Sequence, residues 1–282
     1  MTGTFNVFGM GTGQFETLLL VLVRVSTMLA LVPVFSQTQV PQLVRFGLGL
    51  LLAILIVRIV PPMAPVGGLG ALVVAIVSQA FVGLVFGFVA FLLFTGIQFA
   101  GEIIDTQIGF AVVNIVNPLT SQNVTVIGNL ELALATLLYL AADAHHLLLR
   151  GVVGSFALVP LPFVAAPELL AGDVVRFFTQ ALFIVFQIAA PVAISLFLVN
   201  VMLGLMARVA PQMNVFVVGF PIQITIGLVM LVVSLPLLGA VFPALIDTSA
   251  RQLDTVLRAM SPANLPSPLP SPSTGSGQAP AP

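Results

Sequence analysis

Residues 209–246 read VAPQMNVFVVGFPIQITIGLVMLVVSLPLLGAVFPALI, which is 38 consecutive residues without a charged side chain. A second run, residues 59–101, contains 43 uncharged residues. A helix needs about 20 apolar residues to cross a bilayer core of roughly 30 Å. Each run is therefore too long for one standard span and short for two spans with a turn. Both runs contain proline, which kinks or ends a helix, so they predict broken helices and helical hairpins in a membrane.

The composition of the whole chain favours the same fold class. Of 282 residues, 59% are hydrophobic and 6% are charged, whereas soluble domains carry roughly 25% charged residues. We therefore predict an all-α membrane protein with about six nominal hydrophobic segments. The charge-free runs that mark them cover residues 25–44, 46–57, 59–101, 106–130, 177–207 and 209–246.

Several function classes find no support in the sequence. The net charge is −1, so the chain has no basic field that would attract nucleic acid. The absence of cysteine excludes disulfides, thiolate metal sites and cysteine nucleophiles. The sequence contains no nucleophile elbow, phosphate-binding loop or HExxH motif. It therefore predicts neither an enzyme nor a cofactor site.

Composition changes along the chain predict four units. These are an N-terminal segment at 1–14, a membrane domain at 15–246, an amphipathic helix at 247–260 and a disordered tail at 261–282. The tail is rich in Pro, Ser, Gly and Ala and cannot bury enough apolar surface to order itself. The amphipathic helix has an apolar and a charged face. The first face holds Ala250, Leu253, Val256, Leu257 and Met260, and the second holds Asp247, Arg251, Asp254 and Arg258.

Four charged residues in or beside the apolar runs are candidate intramembrane charges: Arg24, Glu102, Asp105 and Glu131. Such residues are functional candidates because an unpaired charge is expensive to bury. Arg24 and Glu131 each interrupt a span, and they could pair with each other or with a neighbouring subunit. Glu102 and Asp105 are either functional acids or residues at a helix end in water.

A cluster at Asp143, His145 and His146 is the one feature that suggests a metal site or a proton relay. Adjacent histidines on a helix point about 100° apart and cannot easily chelate one ion together. We therefore favour polar residues at a helix end and predict no metal. Elsewhere, Gly83 and Gly87 have the GxxxG spacing that lets two helices approach closely.

Four ordered stretches of the chain, between about Leu20 and Ile246, resemble the FliR family of flagellar and type III secretion proteins. The stretches are LVRVSTMLALVPVF at 22–35 with VP at 40–41 and RFGLG at 45–49, AGEIIDTQIGF at 100–110 with NP at 117–118, HHLLLR at 145–150 with SF at 155–156, and APQMNVFVVGFPI at 210–222. The last is the most specific. Two features depart from the family pattern, namely Asn117, where many members carry Asp, and the Pro/Ser tail.

The resemblance implies a core subunit of the flagellar type III export gate, in the bacterial inner membrane at the flagellar basal body. Family members assemble with FliP-like and FliQ-like subunits into a closed helical gate, through which unfolded export substrates pass. An FlhB-like protein associates with the closed gate. The implied fold joins a FliP-like first part to a FliQ-like last part, and it needs neither catalytic residues nor a cofactor.

The resemblance also implies site residues. Residues 109–117 would plug the pore, with Gly109, Phe110, Val112, Val113, Ile115 and Asn117 as the candidate residues. Candidate pore or subunit contacts are Met206, Pro211, Gln212, Met213, Asn214, Phe216, Phe220 and Pro221. The alternative for residues 109–117 is a buried interhelical turn whose apolar side chains only pack.

Two other functions compete with the flagellar gate. The homologous subunit of an injectisome would share the fold, and the VGFP segment at 218–221 favours the flagellar version. A secondary transporter with discontinuous helices would bind a small solute near the membrane midplane. That function predicts two matching halves and a convergent polar site, and neither is visible in the sequence.

Overall fold

The computed structural model describes residues 12–36, 40–61, 66–110, 125–161, 171–212 and 214–261. These residues form helices and no strand, which confirms the predicted all-α fold class. Most of the predicted N-terminal segment, and the tail from residue 262 onward, lie outside them. In chain order the helices are α1 (Thr12–Leu31), α2 (Pro33–Ser36), α3 (Gln42–Val57), α4 (Leu69–Ile108), α5 (Val126–Ala141), α6 (Ala144–Leu158), α7 (Ala171–Val209) and α8 (Val215–Ala259).

The protein is a multi-pass membrane protein. Within the described residues, α1, α4, α7 and α8 are each long and apolar enough to cross a membrane, and the bent pair α5 and α6 makes a fifth span if it is counted as one. The predicted segment at 46–57 lies in α3, which has 16 residues and is about 24 Å long. That length is too short to cross a bilayer alone.

The two longest apolar runs do not break where we expected. The helix α4 is continuous over 40 residues, because the prolines of its run precede Leu69. The helix α8 is continuous over 45 residues and passes through Pro221, Pro236 and Pro243. Prolines are tolerated in membrane helices where neighbouring groups satisfy the freed backbone. The broken helix is instead formed by α5 and α6, which meet at an angle of 68°.

Two hydrophobic cores lie one after the other along α4. The first core joins residues of α1, α3 and α6 and the end of α8 to the part of α4 that includes Val82 and Phe86. The second joins residues of α5, α7 and the middle of α8 to the part that includes Ile97 and Ile104. As a result α4 packs against α1, α5, α6, α7 and α8.

The crossing of α1 over α4 occurs at the GxxxG motif. A Cβ atom added to Gly83 would lie 2.0 Å from Thr27 Oγ1 and 2.2 Å from the backbone oxygen of Arg24. One added to Gly87 would lie 2.6 Å from Leu31 Cβ. The absence of a side chain at both positions lets the two backbones touch, as the spacing predicts.

The helices α7 and α8 form a long hairpin. Asn200 and Gln223 are hydrogen-bonded near its turn, and Gln180 and Gln252 are hydrogen-bonded near its open end. The most apolar window of α8 is only 17% buried within the chain, compared with 44% for that of α4. Most of the apolar surface of the hairpin is therefore available to lipid or to other subunits.

The region predicted as a separate amphipathic helix, 247–260, continues α8 without a break up to Ala259. Its apolar side chains Leu253, Val256 and Leu257 are buried in the first core. The four charged residues of the opposite face are exposed. The end of α8 thus docks on the part of α4 that also packs against α1.

A substitution at Gly83 tests the close crossing. We expect Gly83→Ala to lower the thermal midpoint of the solubilised protein strongly, because its methyl group would meet backbone atoms that cannot turn aside. Overpacking of a core costs typically 1–3 kcal/mol. Gly204→Ala in α7 is the matched control, since nothing lies within 4 Å of its added Cβ. Equal midpoints for the two variants would contradict the tight crossing.

Candidate functional site

The candidate gate site begins where α4 ends. Gly109 has a left-handed backbone, with φ of 96°, and its N–H donates to the backbone oxygen of Asp105 at 3.1 Å. A Cβ atom on Gly109 would lie 3.0 Å from the ring of Phe220 in α8. Glycine suits this position because it adopts the left-handed conformation without strain and leaves room for the ring. Gly109, the first residue of the predicted plug, therefore contacts Phe220 of the VGFP segment.

The last turn of α4 is held by both helices of the hairpin. Ile108 is fully buried. A Cβ atom on Gly227 would lie 2.5 Å from the Ile108 side chain and 3.5 Å from that of Leu196. Phe110, two residues after Ile108, is half-buried and packs against the second core. The start of the predicted plug is thus fixed between α7 and α8.

Asp105 caps a helix other than its own. Its carboxylate accepts hydrogen bonds from the backbone N–H groups of Ile127, at 3.1 Å, and Gly128, at 3.3 Å. Thr125, which precedes α5, makes no side-chain cap. An acidic side chain is stabilised at a helix N-terminus by the unsatisfied N–H groups and by the helix dipole. Asp105 therefore ties the end of α4 to the beginning of α5.

Glu131 is the second buried acid of this region. The helices α4 and α5 touch at two glycines, since a Cβ atom on Gly101 would lie 2.5 Å from the Cα atom of Gly128. Glu131 is 2% exposed, and its Oε2 atom has no hydrogen-bond partner among the described residues. Glu102 is half-buried nearby, with its Cγ atom 3.3 Å from the Cβ position of Gly128.

Arg24 lies in the first core and is completely buried. Its Nε atom donates to Gln79 Oε1 at 2.8 Å, and its Nη2 atom donates to the same oxygen. Its Nη1 atom donates to Ser155 Oγ at 2.9 Å, and Nη2 donates to the backbone oxygen of Val159 at 2.9 Å. The guanidinium carbon lies 4.0 Å from the centroid of the Phe156 ring, a cation–π contact. Arg24 belongs to the stretch 22–35, whereas Ser155 and Phe156 belong to the stretch that begins at residue 145. Two of the stretches that carry the family resemblance therefore meet at this network.

Of the two alternatives for Arg24 and Glu131, pairing with each other is not formed. Arg24 binds neutral groups of α4, of α6 and of the residue just after α6, whereas Glu131 lies in α5. Gln79, the main partner of Arg24, was not singled out from the sequence. The sequence did contain a signal, because Gln79 is an amide within the long apolar run 59–101. An amide that is buried there requires a hydrogen-bond partner.

The other candidate residues lie at or near the turn of the α7–α8 hairpin, or outside the described residues. Met206, Pro211, Gln212, Asn214 and Pro221 are exposed. Phe216 belongs to α8, but its side chain is not described. Val112, Val113, Ile115, Asn117 and Met213 lie outside the described residues.

Substitution of Gln79 tests the Arg24 network. Gln79→Leu should destabilise the protein by about 1.5–3 kcal/mol, the range for a hydrogen bond to a charged group. The added effect of Gln79→Leu should be much smaller in an Arg24→Met background, because the buried cation is then absent. Thermal midpoints of the four proteins measure this coupling, and Arg251→Met is an exposed control. Additive effects would contradict the network.

Comparison with known proteins places the chain in a family. The family model described as bacterial export proteins, family 1, matches residues 15–249. The flagellar biosynthetic protein FliR of Bacillus subtilis is 35% identical over 233 residues, which cover 80% of this chain and 89% of the relative. FliR of Escherichia coli is 31% identical over 223 residues, covering 77% and 84%. The Yop proteins translocation protein T of Yersinia pestis is 32% identical over 164 residues, covering 57% and 63%. The resemblance predicted from the sequence is confirmed, and the chain belongs to the bacterial export proteins of family 1.

Proposed function

We propose that this chain is a core subunit of the flagellar type III export gate in the bacterial inner membrane. With FliP-like and FliQ-like subunits it forms a channel for unfolded flagellar proteins, and an FlhB-like protein associates with the closed channel. Residues 109–117 plug the pore. The chain itself carries no catalytic step and binds no cofactor for this function.

The anchoring of the loop that contains residues 109–117 carries this proposal. The first end of the loop is fixed by Phe220 against Gly109 and by Ile108 between α7 and α8. The second end is fixed by Asp105, whose carboxylate binds the N–H groups of Ile127 and Gly128. Contacts at both ends of an apolar segment suit a plug, because the segment can then be displaced while its ends remain in place.

The surface of the α7–α8 hairpin supports assembly with other subunits. Near its turn the two helices leave a cavity of about 290 Å³. Its lining is aliphatic or methionine throughout, and methionine adapts to irregular partner surfaces. The lining residues are Leu198, Val199, Met202, Leu203, Met206, Val215, Val218, Ile222 and Ile226. An apolar helix of a neighbouring subunit fits such a groove.

The flagellar system is favoured over an injectisome by the extent of similarity. The similarity to FliR of Bacillus subtilis spans 80% of this chain, whereas that to the Yersinia pestis translocation protein spans 57%. The injectisome subunit is therefore the second candidate. Genes for rod and filament proteins beside this gene would support the flagellar function, and genes for needle and translocator proteins would support the alternative.

Shortening of the loop tests the plug. Deletion of residues 110–113 removes Phe110, Val112 and Val113 and should make the assembled gate leak ions, because the apolar seal is lost while the anchors remain. Membrane conductance of intact cells and co-purification with the FliP-like and FliQ-like subunits are measured on the same strain. Asp105→Ala, which frees the start of α5, should cause a weaker leak.

Two results would overturn the plug assignment. Loss of assembly without a leak would show that the loop is a packing element. Normal assembly with a tight membrane would show that it does not close the pore. A strain that expresses an equal amount of the unaltered protein is the reference for conductance.

Motility tests the flagellar assignment. Deletion of the gene should abolish swimming, and a copy that lacks residues 262–282 should restore it fully, because that segment cannot bury an ordering surface. Swimming on soft agar and the level of the protein in membranes are compared. A motile deletion strain would contradict the flagellar function, and a non-motile truncated strain with normal protein level would show a docking role for the tail.

A further inference from the structure

Three side chains at the bend between α5 and α6 form a cluster that the proposed gate does not use. One potential ligand atom from each of Asp143, His145 and His146 lies within 4.8 Å of the other two. The ring centroids of the two histidines are 4.2 Å apart. The sequence-based expectation that adjacent histidines point apart therefore does not describe these side chains, which converge at the start of α6.

We propose that Asp143, His145 and His146 bind one divalent transition-metal ion, for which Zn²⁺ is the best match. Imidazole nitrogens and carboxylate oxygens are the ligands that Zn²⁺ takes in sites without cysteine. Three protein ligands leave at least one position for water. In a tetrahedral site with bonds of about 2.0–2.1 Å, the ligand atoms lie roughly 3.3 Å apart. The side chains need to close by about an ångström or more to reach that geometry.

One nitrogen of the cluster lacks a hydrogen-bond partner. The Nδ1 atom of His145 is buried and has no hydrogen-bond partner among the described residues. A buried nitrogen of this kind is unfavourable unless a donor, an acceptor or a metal satisfies it. Coordination of an ion provides such a partner.

Asp143 provides the second argument. Among the described residues it is the one non-glycine residue with a positive φ, at 52°, a conformation that Asp adopts more readily than most residues with a side chain. It precedes α6, yet its carboxylate makes no capping hydrogen bond. Its Oδ1 atom instead lies 3.4 Å from Nδ1 of His146. The carboxylate thus faces the imidazole of His146 and does not cap the helix.

An ion could reach this cluster from water. The side chain of Asp143 is 76% exposed and that of His146 is 62% exposed. A bound ion would join Asp143, which lies between the two helices, to the first turn of α6.

The test is a metal titration of the full-length protein, isolated in detergent with its co-purifying subunits through an affinity tag without histidine. Zn²⁺ is titrated against a chromophoric chelator, and Co²⁺ spectra report the coordination geometry. We expect one ion per chain in the unaltered protein. His146→Gln and Asp143→Asn should each weaken its binding by roughly ten- to a hundredfold or more, since loss of an outer partner of a ligand already has an effect of this size. Binding should also weaken as the pH falls, because imidazole must be deprotonated to bind.

Asp247→Asn, at an exposed acid on α8, is the matched control and should bind Zn²⁺ like the unaltered protein. Zn²⁺ should raise the thermal midpoint of the unaltered protein and of the control, but not of His146→Gln. Equal affinities for all proteins, or no binding above that of a triple variant at Asp143, His145 and His146, would overturn the proposal. A simple ion pair between Asp143 and His146 would produce that second result.

Discussion

The structure depends on the helix α4, an apolar helix of 40 residues and about 60 Å. Because it is longer than one core can cover, its two halves are covered by different helices. Glycines set the crossing points: Gly83 brings the backbone of α1 against the first half, and Gly101 brings that of α5 against the second. These two contacts fix the helices that carry Arg24 and Glu131, so the buried polar groups are positioned by backbone packing.

The two halves of α4 accommodate buried charge differently. Arg24 has two side-chain partners, a backbone oxygen and an aromatic ring, and a network satisfied to this extent stabilises one arrangement of its helices. In the other half, Asp105 binds backbone N–H groups, but Glu131 keeps a carboxylate oxygen without a partner in the described part of the chain. Each half keeps one such buried atom without a partner among the described residues, Gln79 Nε2 in the first half and Glu131 Oε2 in the second. The halves therefore differ in what binds the charge, namely neutral side chains around Arg24 and backbone N–H groups around Asp105.

The sequence predicted the fold class well and the continuity of the helices poorly. Composition and charge-free runs were sufficient to predict an all-α membrane protein, because apolar surface is a property of residue types. Proline predicted breaks in α8 that do not occur, since the response of a helix to Pro236 is decided by its neighbours in space. In the site, Arg24 and Asp105 were recognisable as expensive charges. Their partners Gln79 and the start of α5 are 55 and 22 residues away in the chain, and no local pattern connects them.

The exposed apolar surface of α7 is longer than the hydrocarbon core of a bilayer. Large exposed apolar side chains begin at Val174 and continue to Val209, a distance of about 52 Å along the helix at 1.5 Å per residue. A helix tilted by 40°, the upper end of the usual range, crosses a core of about 30 Å within roughly 39 Å of its length. The remainder of that surface lies beyond the hydrocarbon, where exposed apolar side chains are unfavourable. Contact with other protein chains would cover that remainder, whichever export system the protein serves.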